Sequence, residues 1–211
     1  MEICHTEPLT RKSFLAMYLD FQRRFADCEI IFKNHRMNTR LTHKYIKRIW
    51  RSDLKTASLQ IGKWLNEELR PNCFATVTFK QCKHHGQGVR EWINQDIADS
   101  TCNELMQRCV RNFRKRTTGS DPNPFQWVTF IEDGKGSKRL HAHLAIHTSD
   151  LIEYDEFSKI FRDLCDRFDW VDERVDMQQL SDEEDHRRVI FYCLKEGADA
   201  FRPNASHLVL N

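Results

Sequence analysis

The feature that most constrains this chain is a change of hydrophobic period at Pro71-Asn72. Before it, Phe14, Met17, Tyr18, Phe21 and Phe25 recur at three and four residues. So do Ile46, Ile49, Trp50, Leu54, Ile61, Trp64, Leu65 and Leu69, a pattern that predicts helices. After it, Cys73 to Phe79 is short, β-branched and aromatic, which predicts a strand. A polar loop with His84, His85, Gly86 and Gly88 follows, then an expected helix from about Arg90 to Arg116 with Ile93, Ile97, Leu105, Met106, Cys109, Val110 and Phe113 on one face. Asp121 to Pro124 is a turn. Strands are expected from Phe125 to about Glu132 and from Arg139 to His147, joined as a hairpin through the Gly-containing segment Asp133 to Lys138. Ser149-Asp150, with Glu153 three residues on, is expected to cap a helix carrying Tyr154, Phe157, Ile160, Phe161, Leu164 and Phe168. Arg174 to Leu180 is expected as a strand. Ser181-x-x-Glu184 opens a last helix through Lys195, which Gly197 ends.

The order strand, helix, strand, strand, helix, strand, helix describes an α+β fold, an antiparallel β-sheet with helices packed on it, akin to a split βαβ unit. A helical N-terminal extension precedes it. Three segments are expected: a basic helical region 1–71, a separate sheet-and-helix domain 72–200 and a tail 201–211. At 40% hydrophobic residues, with 7 Gly and 5 Pro, the composition excludes collagen-like and disordered chains. No stretch has the length and apolarity of a membrane span, and Met1 to Lys12 lacks a signal peptide's apolar core, so an intracellular protein is expected. Eight cysteines without a C-x-x-C argue for reduced, mostly buried thiols.

Charge is polarised along the chain. Residues 1–142 carry 25 Lys/Arg against 15 Asp/Glu, whereas residues 143–211 carry 8 against 16. Basic clusters at Arg36 to Arg51 and Arg108 to Arg116 suit a nucleic-acid partner, and solvated helix faces account for them as well.

The residues that carry chemistry begin with His141-Ala142-His143. In a strand, i and i+2 share a face, so both imidazoles project together while Leu140, Ala142, Leu144 and Ile146 point to a core. Glu132 precedes His141 by nine residues across the expected hairpin; paired opposite it, Glu132 would complete a mixed nitrogen and oxygen ligand set with open positions for a phosphate oxygen. Asp133 is the rival acid. On the last helix Tyr192 and Lys195, three residues apart, share a face, a nucleophile beside a cation. Arg139 and Lys80 flank the expected site, as phosphate contacts or as solvated charges. His147 has the parity of the other histidines but lies beyond the strand centre, as a surface or DNA-contacting residue. Cys82-Lys83-His84-His85 lacks a second half-site for zinc and is read as a metal-free loop.

In this order and spacing, the strand Phe74 to Phe79, the His141-Ala142-His143 pair and Tyr192-x-x-Lys195 resemble the HUH endonucleases, specifically the single-tyrosine rolling-circle replication initiator (Rep) branch. The resemblance covers roughly residues 72–197. It implies a ferredoxin-like or RRM-like nuclease palm in which His141, His143 and Glu132 hold Mg²⁺ or Mn²⁺. Tyr192 would attack the scissile phosphate of single-stranded DNA, at an origin or hairpin sequence, and Lys195 would assist. The product would be a 5′-phosphotyrosyl enzyme and a 3′-hydroxyl, allowing later rejoining in rolling-circle replication or transposition. Relaxases of the same superfamily usually place the tyrosine before the histidines, unlike this chain. No Gly-x-x-x-x-Gly-Lys-Ser/Thr motif occurs, so unwinding is expected from a host helicase and extension from a host polymerase; the location is then cytoplasmic, or nuclear for a eukaryotic element. The competing readings are a metal-dependent phosphodiesterase without a covalent tyrosine and a non-catalytic single-stranded nucleic-acid-binding module.

Overall fold

A computed structural model describes residues 58–117, 125–132, 139–195, 197, 200–202 and 205–208. Most of the expected N-terminal helical region, Asp133 and the rest of the hairpin loop, and the Asp121 to Pro124 turn lie outside the described residues. Helix α1 covers residues 58–68. Strand β1, Cys73–Phe79, follows, then a short ribbon of β2, Cys82–His84, and β3, Arg90–Trp92, around a 3-10 turn at Gly86–Gly88. Helix α2 is Gln95–Thr117, β4 Phe125–Glu132, β5 His141–Thr148, α3 Tyr154–Cys165, β6 Val171–Gln179 and α4 Glu183–Cys193. The main sheet is wholly antiparallel, in the order β4-β5-β1-β6, with the β2–β3 ribbon as a separate pair. This is the α+β, helix-covered antiparallel sheet that the sequence pattern predicts.

Strand alternation divides the sheet into two faces. Cys73, Ala75, Val77 and Phe79 of β1, Phe125, Trp127 and Ile131 of β4, and Ala142, Leu144 and Ile146 of β5 join one buried cluster. Into the same cluster pack Cys102, Leu105, Met106, Cys109 and Phe113 of α2 and Phe157, Phe161 and Leu164 of α3. The opposite parity carries Phe74, Val128, Phe130 and Ala145, also buried but outside that cluster. On this side α4 contributes buried Val189, Ile190 and Cys193, and Ile61, Trp64 and Leu65 of α1 are buried as well. Helices α1 and α4 meet at Gly62, where a Cβ would stand 2.6 Å from Phe191 Cε1; only glycine permits that approach without displacing the ring.

β4 is an edge strand, and residues after α4 cover part of its edge. Phe201 bridges Phe130 and His207 bridges Trp127, Arg202 donates its backbone N–H to the Thr129 carbonyl, and its guanidinium pairs with Asp99 of α2 at 2.6 Å. Such cover keeps an open β-edge from pairing with another chain.

Local signals decide where the elements differ from the sequence expectation. The helix expected from Arg90 starts at Gln95, because the side-chain oxygen of Asn94 accepts the Ile97 backbone N–H at 2.8 Å and so fixes the N-terminus there. The preceding residues form β3 instead. Gly88, at φ +80°, and the His85 N–H to Val89 carbonyl bond turn the chain back onto β2. Helix α3 starts after Glu153, an N-cap with no side-chain cap bond, and Ser149 closes a separate turn through the Ile152 N–H. The sixth strand begins at Val171, three residues earlier than expected. Asp182, not Ser181, caps α4, accepting the Asp185 N–H at 2.8 Å. Helix α4 ends two residues before Lys195, and Gly197 takes a positive φ of 130° just beyond it. Free Cys73, Cys102, Cys109, Cys165 and Cys193 are buried and Cys82 is half-buried; burial pushes the Cys73 and Cys109 thiols up to about 12.

Asp182→Ala is expected to cost about 1 kcal/mol of stability through the lost cap, and Ser181→Ala less, as read from urea denaturation midpoints.

Candidate metal centre and tyrosine helix

The centre grows from one register. In the β4–β5 pairing Glu132 stands opposite His141, and Phe130 opposite His143. Both imidazoles and the carboxylate therefore share the sheet face away from α2 and α3. Glu132 and His143 are buried and His141 is half-buried. One carboxylate oxygen, Glu132 Oε2, lies 3.1 Å from His141 Nε2 and 3.3 Å from His143 Nε2. One ligand atom from each residue falls within 4.8 Å of the others, which makes this group a candidate metal centre.

The far side of each ring supports that assignment. His141 Nδ1 lies 3.0 Å from the Arg139 carbonyl, which only accepts, so Nδ1 carries the hydrogen. In the neutral imidazole, Nε2 then presents a lone pair toward carboxylate lone pairs. A shared cation resolves that conflict, and so does a second proton on the ring. The two separations from Glu132 match those of neighbouring ligands on one ion, since ligands bound at ~2.1 Å sit ~3.0 Å apart in an octahedron and ~3.4 Å apart in a tetrahedron. His143 Nδ1 is 3.0 Å from Thr76 Oγ1 on the neighbouring strand, the outer hydrogen bond that orients a ligating histidine. Phe74 stacks on the His143 ring, with centroids 5.4 Å apart.

Electrostatics favour the ligating states. Burial pushes His143 down to about 4, and the nearby His141 adds to this against the opposing pull of Glu132. The imidazole is thus neutral, as a metal ligand must be. At Glu132 burial raises the carboxyl, but His141, the His143 hydrogen bond and Lys195 outweigh it, leaving it below the usual carboxylate range and ionised.

Helix α4 and the turn after it bring the other two expected residues to the same place, with Tyr192 on the helix and Lys195 two residues past its end rather than inside it as expected. Tyr192 meets His143 edge-on at 5.5 Å between centroids and is an exposed large aromatic. Lys195 Nζ lies 3.7 Å from the Tyr192 ring centroid and 3.7 Å from Glu132 Oε2, so one ammonium links the tyrosine to the carboxylate. Glu132, His141, His143, Tyr192 and Lys195 therefore form one group.

Arg139 precedes β5 at this end of the sheet and pairs with Asp172 of β6. Lys80 is exposed one residue beyond β1, its backbone N–H donated to the Trp170 carbonyl. His147 sits at the other end of β5, donating to the Arg70 carbonyl at 3.0 Å. In the ribbon, Cys82 Sγ and His84 Nε2 are 3.9 Å apart and His85 bonds Glu91; this segment contributes to no three-ligand cluster among the described residues. Sequence reasoning missed Thr76 and Phe74. Their signal was the β1 alternation, whose non-core parity faces whatever the neighbouring strand presents.

No family model matches this chain, and a search of curated proteins finds no match. One solved structure resembles it with 13% identity over 72% of each chain and a TM-score of 0.30: the N-terminal nuclease domain of the non-structural protein 1 of minute virus of mice. That domain is described as having a Zn²⁺ coordination in its active-site pocket and a mode of DNA recognition at the origin of replication.

Two outcomes follow. Mn²⁺ or Zn²⁺ at 100 times its dissociation constant is expected to stabilise the protein by about 2.7 kcal/mol, seen as a rise in Tm that His141→Ala with His143→Ala abolishes. In chelator, stability is expected to fall as pH drops from 6.5 toward about 4, because the unfolded chain then binds a proton that folded His143 refuses. His143→Gln should flatten that slope in a pH series of denaturation curves.

Proposed function

We propose that this chain is a metal-dependent, site-specific single-stranded DNA endonuclease and strand transferase of the HUH type. It would initiate rolling-circle replication or transposition of a mobile element. The observation that carries the reading is the convergence of Tyr192 and Lys195 on the Glu132–His141–His143 group. A hydrolytic metal site has no need of a tyrosine with an adjacent ammonium, and a binding module has no need of either.

In this reading Tyr192 Oη attacks the scissile phosphorus. A tyrosyl–phosphate ester forms, the bond to the 3′ oxygen breaks, and that oxygen leaves as a 3′-hydroxyl by taking a proton from solvent, to which the tyrosine hydroxyl gives up its own. The phosphodiester energy stays in the ester, so a later 3′-hydroxyl can attack and rejoin the strand. Lys195 offsets the charge of the phenolate as the hydroxyl proton departs. A divalent ion held by His141, His143 and Glu132 supplies polarisation of the phosphate and offsets charge on the leaving oxygen. Thr76 and the Arg139 carbonyl keep the two imidazoles aimed, which a neutral histidine cannot do unaided. The donor set admits Mg²⁺, Mn²⁺ or Zn²⁺, with imidazoles favouring the latter two in affinity.

Lys80 and Arg139 are proposed to contact DNA phosphates at this end of the sheet. The proposed division is a basic helical region 1–71, the nuclease domain 72–200 and a tail 201–211. No described helix is long and apolar enough to cross a membrane.

The test incubates labelled single-stranded origin DNA with the protein, with and without Mn²⁺, and resolves adducts on a denaturing gel. The expected result is a metal-dependent protein–DNA adduct, lost in Tyr192→Phe, with Lys195→Ala slowing its formation on the order of 10²-fold. Cleavage that persists in Tyr192→Phe without an adduct would replace this reading with hydrolysis at the metal centre.

A further inference from the structure

The β2–β3 ribbon is too short to be stable alone, and its two faces differ in chemistry. The pairs Cys82↔Trp92, Lys83↔Glu91 and His84↔Arg90 sort its side chains, since opposed residues share a face. Lys83 and Glu91 lie on the inner face. Lys83 Nζ sits 4.1 Å over the Trp170 ring and 3.7 Å from Asp169, and Glu91 bonds His85 at 3.0 Å. The ribbon's one carboxylate is thus paired with His85, while staying exposed. The outer face keeps His84, Arg90 and Trp92, and Trp92 is 62% exposed.

The ribbon also stands at the reactive end of the sheet. Thr78 pairs with His141, the chain leaves β1 one residue later, and the Lys80–Trp170 and Ile93–Gln81 backbone bonds fasten the ribbon's base there. At ~3.3 Å per residue, Lys80 lies ~7 Å along the strand from the His141 row.

We infer that the outer face of this ribbon is a platform for single-stranded DNA, with Trp92 stacked on an unpaired base and Arg90, His84 and Lys80 on flanking phosphates. The inference deepens the nuclease reading and rests on it for the identity of the strand. A tryptophan held outward on the face that carries Arg90, with Lys80 at the ribbon's base, matches a stacking platform for single strands better than a protein-docking surface. Stacking requires an unpaired base, which sets single strands apart from duplex.

The test uses the full chain carrying Tyr192→Phe, so that binding is read without cleavage, and a fluorescein-labelled oligothymidylate as probe. Anisotropy is expected to show binding about tenfold weaker for Trp92→Ala, with partial recovery in Trp92→Phe. For Arg90→Ala it should show a salt slope shallower by about 0.7. Tryptophan fluorescence should quench on adding DNA, and Trp92→Ala should remove most of that change while leaving Tm unaltered. Unchanged affinity and quenching in Trp92→Ala, or a preference for duplex that this variant leaves intact, would overturn the inference. Origin nicking by the otherwise wild-type chain separates the two ideas. Ribbon-dependent binding without nicking would sink the nuclease reading alone, whereas nicking undisturbed by Trp92→Ala, with parental KM, would sink the ribbon alone.

Discussion

The pairing of Glu132 with His141 across β4 and β5 is the constraint on which the rest depends. A strand has a side-chain period of two, so slipping β4 by one residue would turn Glu132 toward the α2 and α3 core and leave two imidazoles facing no carboxylate. The slip is opposed by the same strands' other faces. Phe125, Trp127 and Ile131 of β4 are buried in that core beside Ala142, Leu144 and Ile146 of β5, and the slip would force all three β4 side chains toward the other side. Apolar packing on one face thereby holds a polar cluster in place on the other. The cover over the β4 edge adds to this, since Trp127 and Thr129 both donate to the Ala205 carbonyl.

Helix α4 completes the arrangement by burying one side and exposing the other. Val189, Ile190 and Cys193 are buried while Tyr192 remains accessible. The helix is thus anchored through apolar contacts, and its tyrosine stays open to solvent. His143 lies between the two, with the Phe74 ring stacked on it and the Tyr192 edge against it. That enclosure accounts for its low affinity for protons, whereas His141, nearer solvent, is oriented by a backbone carbonyl instead.

Much of the fold was legible because each main strand and helix carries its own period. The β1 run, the β4–β5 hairpin, the Tyr154 to Leu164 stripe and the final helix appear within a few residues of expectation. Errors cluster where one or two side chains decide a boundary. Asn94 caps a helix expected to start at about Arg90, Asp182 takes the capping role expected of Ser181, and the Gly88 turn makes a ribbon from residues expected as a loop and a helix. Caps compete over distances of one residue and energies of about 1 kcal/mol, too little for periodicity to detect.

The sequence by itself determined the parity that puts His141 and His143 on one face and the helical period that leaves Tyr192 on the accessible side of α4, whereas Lys195 lies two residues past that helix's end. Both follow from fixed local repeats of the backbone. Only the tertiary structure decided that these two faces meet, that Thr76 and Phe74 flank His143, and that Lys195 reaches Glu132. Those contacts join residues as many as 69 positions apart in the chain, from Phe74 to His143, and no local period encodes them. They depend on strand order, and on which side of the sheet α4 lies, and both of these are set by how the whole chain buries its apolar surface.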